Sequence, residues 1–276
     1  MAGKQIICIK WGVKYGPDYV NRLYAMAARH ITPPFTFTCF TDDPSGLRPE
    51  VRHFPMPDFA VTMPVGTPGM WPKSCLWGPK LGDLEGPVLF LDLDLVITGS
   101  LDDFFTHGPA DGVVAARNPV RPLERLAQTS VFRFPVGKLE PMQKLFASDP
   151  QGFANKYRYE QRFLTHNAPG GVSFFPSAWV RHFRQNCQYP FPLNYAFQPR
   201  LPKGTRIVIF PGGLKPHEAV AGTYNADWPH LSRRAHLAAL FNGRRKESFF
   251  SHLRHYLLPT AWVAEHWREE DGRAEP

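Results

Sequence analysis

Two patterns of apolar and polar positions alternate along this chain. Short runs rich in β-branched and aromatic residues, bounded by Gly, Pro and Asp, are typical of strands. Such runs cover residues 5–10, 35–41, 88–97, 112–117, 129–134, 171–176 and 205–210. Segments with helical spacing lie between them. The alternation predicts an α/β fold with a mixed, mostly parallel central sheet flanked by helices.

The clearest helix follows the first run. Pro17 and Asp18 mark its start, and it ends before Pro33. Its apolar positions recur at helical spacing: Val20, Leu23, Tyr24, Ala27 and Ala28. A strand, a helix and a second strand in this order fit the start of a nucleotide-binding unit, and they fit a purely structural crossover equally well.

The run VLFLDLDLV, residues 88–96, ends a nearly continuous apolar stretch with two acids. This is typical of a strand buried on both faces whose carboxyl end opens into a site. If the strand continues, Asp92 and Asp94 point to the same side, where two bare carboxylates repel each other. A hard divalent cation, Mn²⁺ or Mg²⁺, would resolve that repulsion. Asp102 and Asp103 follow Ser100 and are interpreted as the structural first turn of a helix.

Composition narrows the class of protein. With 276 residues and 43% hydrophobic content, the chain can bury a full core, which favours one large domain, alone or with an appendage. Four scattered cysteines without a CxxC pair indicate neither a zinc cluster nor a disulfide framework. The sequence shows no signal-peptide core and no segment of transmembrane length, so a cytoplasmic location is expected.

Charge is uneven along the chain. Residues 1–100 are balanced, so the whole net charge of +8 lies in the remainder, where anionic partners are expected.

Residues 226–276 are predicted to form a basic, helical C-terminal extension of a catalytic domain at 1–225. Between His230 and Leu258 its cations are Arg233, Arg234, Arg244, Arg245, Lys246 and Arg254, against the single acid Glu247. Two interpretations stay open: the extension packs on the domain, or it lies peripherally on the anionic inner face of a membrane. No nucleic-acid motif accompanies the charge, so no nucleic-acid partner is expected.

Two enzyme families have an apolar strand that ends in DxD. The sequence DLDLV resembles motif I of haloacid-dehalogenase-type phosphatases, in which the first Asp is a nucleophile. Those enzymes need a later apolar strand ending in GD or DD, and neither Asp149 nor Asp227 follows such a strand. The phosphatase is therefore the less favoured interpretation and stands only as an alternative.

A broader resemblance, over roughly residues 5–220, is to metal-dependent glycosyltransferases of the GT-A fold and, distantly, to their family 8. IICIKWGVKYGPDYV is similar to the first nucleotide-holding element, KSCLW to the helix before the DxD strand, and LFLDLDLVITGSLDDFF to that strand. YEQRFL stands where the family has a D-Q pair, and GGLKPH where it has GxxKPW. Ile209 occupies the position of the family's metal-binding His, His217 that of its Trp, and 129–131 that of an Asn-x-Gly element.

The resemblance implies roles for individual residues. Glu160 and Gln161 would lie beside the donor sugar as catalytic residues. The nucleotide sugar would be bound by Lys10, Trp11, Tyr15, Lys73, Asp92, Gly212, Gly213 and Lys215. The metal would be held by Asp92, Asp94 and His217. For His217, Lys73, Lys215 and the two aromatic residues, a structural or solvated role is the open alternative.

The function that the resemblance implies is a metal-dependent glycosyltransferase of the retaining, hexosyltransferase type. It would move a sugar from a nucleoside diphosphate, expected to be uridine diphosphate, to a glycan or lipid-linked acceptor. Synthesis of cell-envelope polysaccharide or lipopolysaccharide is the expected setting. Besides the phosphatase, the alternative is a catalytically idle glycan-binding or scaffold protein with the same fold.

Overall fold

The computed structural model describes residues 3–121, 123–224, 230–241 and 248–270. The strands are β1 (Lys4–Lys10), β2 (Phe35–Thr41), β3 (Arg52–Phe54), β4 (Pro87–Leu91), β5 (Leu95–Ile97), β6 (Val113–Arg117), β7 (Ala127–Pro135), β8 (Val172–Phe174), β9 (Val180–His182) and β10 (Ile207–Ile209). The α-helices are α1 (Pro17–Arg29), α2 (Glu140–Ser148), α3 (Pro150–Tyr157), α4 (Glu160–Asn167), α5 (Pro216–Ala221), α6 (Arg233–Ala238), α7 (Phe249–Arg254) and α8 (Ala261–His266). Short 3₁₀ segments cover Trp71–Trp77, Asp102–Phe104 and Leu193–Tyr195, and a π-helical turn covers Phe183–Cys187.

A seven-stranded sheet in the order β3-β2-β1-β4-β7-β6-β8 forms the centre of the fold. β7 runs antiparallel to both neighbours, and the other neighbouring strands described here are parallel. The predicted mixed, mostly parallel sheet flanked by helices is confirmed. β3 and β9 are missing from the sequence prediction because each has three residues and includes Arg and His, which gives no apolar run.

The apolar run at 88–97 forms two strands, where the sequence predicts one. β4 ends at Leu91 in the large sheet, and β5 belongs to a separate three-stranded sheet, β5-β10-β9. The Asp92 backbone N–H donates to the carbonyl of Ser130 in β7 at 3.0 Å. The chain then turns, and β5 pairs antiparallel with β10. The geometry expected of a continuing strand, with alternate side chains on one side, therefore does not apply to Asp92 and Asp94.

Two apolar clusters cover opposite faces of the large sheet, as alternate residues of β1 and β4 require. On one face, α1 buries Val20 and Leu23 fully, and the small sheet joins the same cluster. α1 begins with Pro17 at its first position and carries Arg29 in its last turn, both favourable for a helix. On the other face, the Trp71–Trp77 segment packs with α2 and α4.

The last part of the described chain, from Leu257 through α8 to Trp267, packs into the first of these clusters. Val263 is fully buried and Trp267 is 8% exposed, and both belong to the cluster that contains α1. Arg244, Arg245 and Lys246, which belong to the predicted basic C-terminal extension, lie outside the described residues, as does Asp227. Within the part of the chain that the structure describes, no helix has the length and apolar character needed to cross a membrane.

Candidate active site

A cavity of about 420 Å³ lies where the chain changes from the large sheet to the small one. Its walls come from the segments that follow β1, β4 and β10, from the Trp71–Trp77 segment, and from the starts of β7 and α4. This is the carboxyl edge of the parallel strands, the usual place for ligands in open α/β sheets. The predicted site residues that line it are Trp11, Tyr15, Lys73, Asp92, Asp94, Glu160, Gln161, Gly212 and Lys215.

Asp92 is held by a lysine from a distant part of the chain. Lys73 Nζ lies 2.6 Å from Asp92 Oδ1, and the two side chains are 6% and 24% exposed. The ammonium also donates to the Thr129 carbonyl at 3.3 Å and lies 4.8 Å from the centre of the Phe90 ring. Burial raises the pKa of Asp92, Lys73 opposes that rise, and Asp94 adds to it. The carboxylate therefore depends on Lys73 for its charge balance.

Asp94 has a lysine of its own. Lys215 Nζ forms an ion pair with Asp94 Oδ2, and the Tyr15 hydroxyl donates to the same oxygen at 2.6 Å. Lys215 Nζ also donates to the Tyr15 hydroxyl at 2.5 Å. Burial, followed by the nearby charge of Asp94, raises the pKa of Tyr15 well above its ordinary value, so the phenol keeps its proton for this bond. Lys215 directly precedes α5, where its backbone N–H donates to the Glu218 carboxylate at 2.6 Å.

Glu160 stands in another wall of the cavity, at the first position of α4. Its side chain is buried and both oxygens accept hydrogen bonds, Oε1 from the Thr129 hydroxyl and Oε2 from the Met70 backbone N–H, each at 2.9 Å. Gly69 lies against it, because a Cβ there would come within 3.2 Å of Glu160 Oε2. The carboxylate is thus fixed in orientation, and Gln161 beside it also faces the cavity.

Thr129 connects these groups, and the sequence prediction gave it no role. Its hydroxyl holds Glu160 and its carbonyl accepts from Lys73, while the next residue, Ser130, accepts from Asp92. The register between β6 and β7 shifts between Ala115, which pairs with Phe132, and Ala116, which pairs with Gln128, so residues 129–131 bulge out of the pairing with β6. Val131 pairs with Leu91 of β4. Bulges of this kind re-aim side chains next to active sites. The only signal in the sequence is the polar triplet QTS at the start of an apolar run.

Three predicted site residues do not line the cavity. Lys10 is buried, and its Nζ donates to the Asp43 carbonyl at 2.9 Å, which ties β1 to the end of β2. Gly213 is exposed beside Gly212. His217 faces a different surface groove, where its Nδ1 lies 2.8 Å from the Tyr19 hydroxyl. His217 and Lys215 are close in sequence but diverge in space, because residues two apart at a helix start do not share a face.

The predicted metal site has two of its three ligands in the cavity. Asp92 and Asp94 offer carboxylate oxygens, which Mn²⁺ and Mg²⁺ prefer. Each carboxylate, however, already has an ammonium partner, and His217 lies elsewhere. Among the residues described, no group of three or more His, Cys, Asp or Glu side chains is placed to hold a metal ion. These residues therefore do not fit a cation held in the way the family resemblance implies.

Comparisons with known proteins bear on the fold. No family model and no curated protein matches the sequence. A crystal structure of the galactosyltransferase LgtC in complex with donor and acceptor sugar analogs matches at 17% identity and a TM-score of 0.55, covering 95% of this chain and 99% of that one. The glycosyltransferase GlyE of Streptococcus pneumoniae matches at 14% identity and a TM-score of 0.56, covering 77% of this chain and 56% of that one.

The bifunctional glycosyltransferase WbbM matches at 11% identity and a TM-score of 0.53, over 98% of this chain and 52% of that one. This chain thus spans nearly the whole of LgtC and about half of GlyE and WbbM. At these identities the likeness establishes architecture. The chain has the GT-A fold of these glycosyltransferases, as the distant resemblance to family 8 predicts.

Proposed function

We propose that the chain is a glycosyltransferase that moves a sugar from a nucleoside diphosphate to an acceptor hydroxyl. The observation that carries the proposal is the pairing of Lys73 with Asp92 and of Lys215 with Asp94 in one cavity, at the sheet edge where ligands bind. The shared fold of LgtC, a galactosyltransferase crystallised with donor and acceptor sugar analogs, supports it. Uridine diphosphate as the carrier, a hexose as the sugar and a retaining course are the finer parts of the proposal.

The charges of the cavity suit this reaction. In the transfer, the bond from the anomeric carbon to the diphosphate oxygen breaks and its electron pair stays on the diphosphate. The acceptor oxygen bonds to the carbon and gives its proton to the departing diphosphate oxygen. Negative charge grows on the diphosphate, where ammonium groups that are already fixed stabilise it without reorganisation. The sugar ring becomes positively charged as the bond breaks, and the Glu160 carboxylate places negative charge at the cavity wall to stabilise it. The Gln161 side-chain amide can hydrogen-bond to the hydroxyl groups of the sugar.

The metal predicted from the resemblance is left out of this mechanism, because the described residues do not fit it. If Mn²⁺ or Mg²⁺ were bound together with a donor, it would neutralise the leaving diphosphate, as the two ammonium groups do here. The chain's own contribution is to hold Lys73 and Lys215 in place through Asp92, Asp94 and Tyr15.

Thermal unfolding with a panel of nucleotides tests the proposal. We expect a nucleoside diphosphate and its sugar derivative to raise the melting temperature, and slow release of the diphosphate from the sugar nucleotide. Asp92→Asn should remove the release. Asp111→Asn, at a side chain that is 87% exposed, is the matched control and should retain it. Release of phosphate from simple monoesters without a nucleotide effect would favour the phosphatase, and no response to any of these compounds would favour an idle scaffold.

A lipid-linked or glycan acceptor at the cytoplasmic face of a membrane, in envelope polysaccharide or lipopolysaccharide synthesis, is the remaining part of the proposal. Exposed rings support it: Phe250 is 69% and Phe191 45% exposed, and both line a shallow groove with Arg254. Sedimentation with phosphatidylglycerol vesicles, but not with phosphatidylcholine vesicles, is the expected result. Equal recovery with both lipids would remove the membrane from the proposal.

A further inference from the structure

We infer that Lys73 and Lys215 replace the divalent cation at the diphosphate site, so that this chain binds a nucleoside diphosphate without metal. The inference rests on the proposed function, because it concerns the same cavity. It assigns the two aspartates a different role from the one the DxD spacing suggests: they hold and orient lysines.

The first observation is the side chain at the expected third ligand position. Ile209 is 2% exposed and pairs with Leu95 across β5 and β10, directly beside Asp94. An apolar side chain at this place cannot coordinate a cation. The nearest histidine in sequence, His217, is exposed on α5 and bonded to Tyr19 in another groove. The cavity therefore offers a cation two carboxylates and nothing else from the ligand set of the resemblance.

The second observation is that both carboxylates are already occupied. Lys73 Nζ contacts Asp92 Oδ1, while Asp94 Oδ2 receives both Lys215 and the Tyr15 hydroxyl. A cation that bound both aspartates would have to expel two ammonium groups. The side chains of Lys73 and Lys215 are only 6% and 14% exposed, so each expelled ammonium would lose its charge partner within a largely buried site. A dication and two ammoniums enclosed together would repel one another at short range.

The third observation is the charge available to a diphosphate. The charged side chains lining the cavity are three of each sign, Lys14, Lys73 and Lys215 against Asp92, Asp94 and Glu160, so the positive charge offered to a diphosphate comes from the ammonium groups that face it and not from the net charge of the lining. An ammonium has three donors. Lys73 and Lys215 can each keep an aspartate and still donate to a phosphate oxygen, and Lys14, exposed above the Tyr15 ring, adds a third positive charge at the mouth.

Isothermal titration calorimetry of the full chain tests the inference. The probes are a panel of nucleoside diphosphates and inorganic pyrophosphate, each titrated in EDTA and in Mn²⁺. We expect dissociation constants in the two conditions to agree within about threefold. In EDTA, Lys215→Met should weaken binding by roughly tenfold or more, because a hydrogen-bonded charge is lost. Lys4→Met removes a lysine paired with Asp102 outside the cavity, and it should change binding by less than about threefold.

The outcomes distinguish a failure of the metal-free site from a failure of the proposed glycosyltransferase function. Binding of a nucleoside diphosphate in Mn²⁺ that disappears in EDTA overturns the metal-free site and leaves the glycosyltransferase standing. Equal loss of affinity in Lys215→Met and Lys4→Met also overturns the inference, because it would reflect net charge alone. No binding of any diphosphate in either condition overturns both. The comparison of EDTA with Mn²⁺ uses the unaltered chain, so it decides the question even if Lys215→Met fails to fold.

Discussion

The Lys73–Asp92 pair allows a quantitative test of the site's electrostatics. Lys73→Met keeps an unbranched side chain but removes the ammonium, which leaves the Asp92 carboxylate without its partner. Breaking a buried pair costs about 3–5 kcal/mol of unfolding free energy. We expect about 3 kcal/mol, the low end of that range, because Asp92 is 24% exposed and keeps some contact with water.

The reverse change and the double variant complete the cycle. Asp92→Asn leaves the Lys73 ammonium with the Thr129 carbonyl and the Phe90 ring, for an expected loss of about 2 kcal/mol. The double variant contains no unpaired charge, so its loss of unfolding free energy should be about 2 kcal/mol, below the loss in Lys73→Met and well below the sum of the single losses. The expected coupling free energy is therefore about 3 kcal/mol.

Urea unfolding at neutral pH, followed by tryptophan fluorescence and by circular dichroism, measures each free energy. The two probes must give one midpoint for the cycle to be valid. The matched control is the cycle of Lys4→Met and Asp102→Asn, whose side chains are 28% and 32% exposed, and its coupling should stay below about 1 kcal/mol. If the free-energy losses of the two single variants add to within about 0.5 kcal/mol of the loss in the double variant, Lys73 and Asp92 do not form an ion pair in solution, and the expected coupling is wrong.

Three further outcomes are expected. Glu160→Gln should leave the melting temperature nearly unchanged but slow diphosphate release by about 100-fold, because the amide keeps the shape and loses the charge; an unchanged rate would contradict this. Gly212→Ala should cost about 1 kcal/mol in urea unfolding because Gly212 has a φ of 93°, whereas Gly213→Ala, with open space around it, should cost less than about 0.5 kcal/mol. Burial and the stacked His252 ring lower the pKa of His236 to about 4, so the unfolded chain takes up a proton there below about pH 6.5 before the folded chain does. Stability should fall between pH 6.5 and 4 by up to about 3 kcal/mol from this group, and His236→Gln should flatten that slope in unfolding measured across the pH range.

Strand positions were predictable from the sequence wherever burial on both faces produced an apolar run. β1, β2 and β6 coincide closely with the predicted runs, and α1 begins at the predicted Pro17. The division of 88–97 into two strands was not predictable, because β4 and β5 are both apolar and the change of sheet depends on pairing with β7 and β10. Local pattern carries no information on which distant strand will pair.

The site shows the same limit. The spacing of Asp92 and Asp94 marks the cavity, and GGLKP places Lys215 beside it. The partners of the aspartates come from 73 and 215, so their pairing is a tertiary contact that spacing in the chain cannot reveal. His217 shows the opposite case: it is near Lys215 in sequence, but the start of α5 turns it toward Tyr19.

The described C-terminal residues reach the site through a series of aromatic rings. Trp267 meets the edge of Tyr19 at a centroid distance of 5.5 Å, and Tyr19 packs on Tyr15 at 4.8 Å. Tyr15 in turn donates to Asp94 at the oxygen that Lys215 shares. Residues from both proposed units, 1–225 and 226–276, therefore belong to the packing around the groups that hold this ammonium. A bound cation would itself draw two aspartates into position, so such a site would tolerate less tightly packed surroundings. Two lysines have no such ion between them, and the packing around them must fix the positions of their ammonium groups.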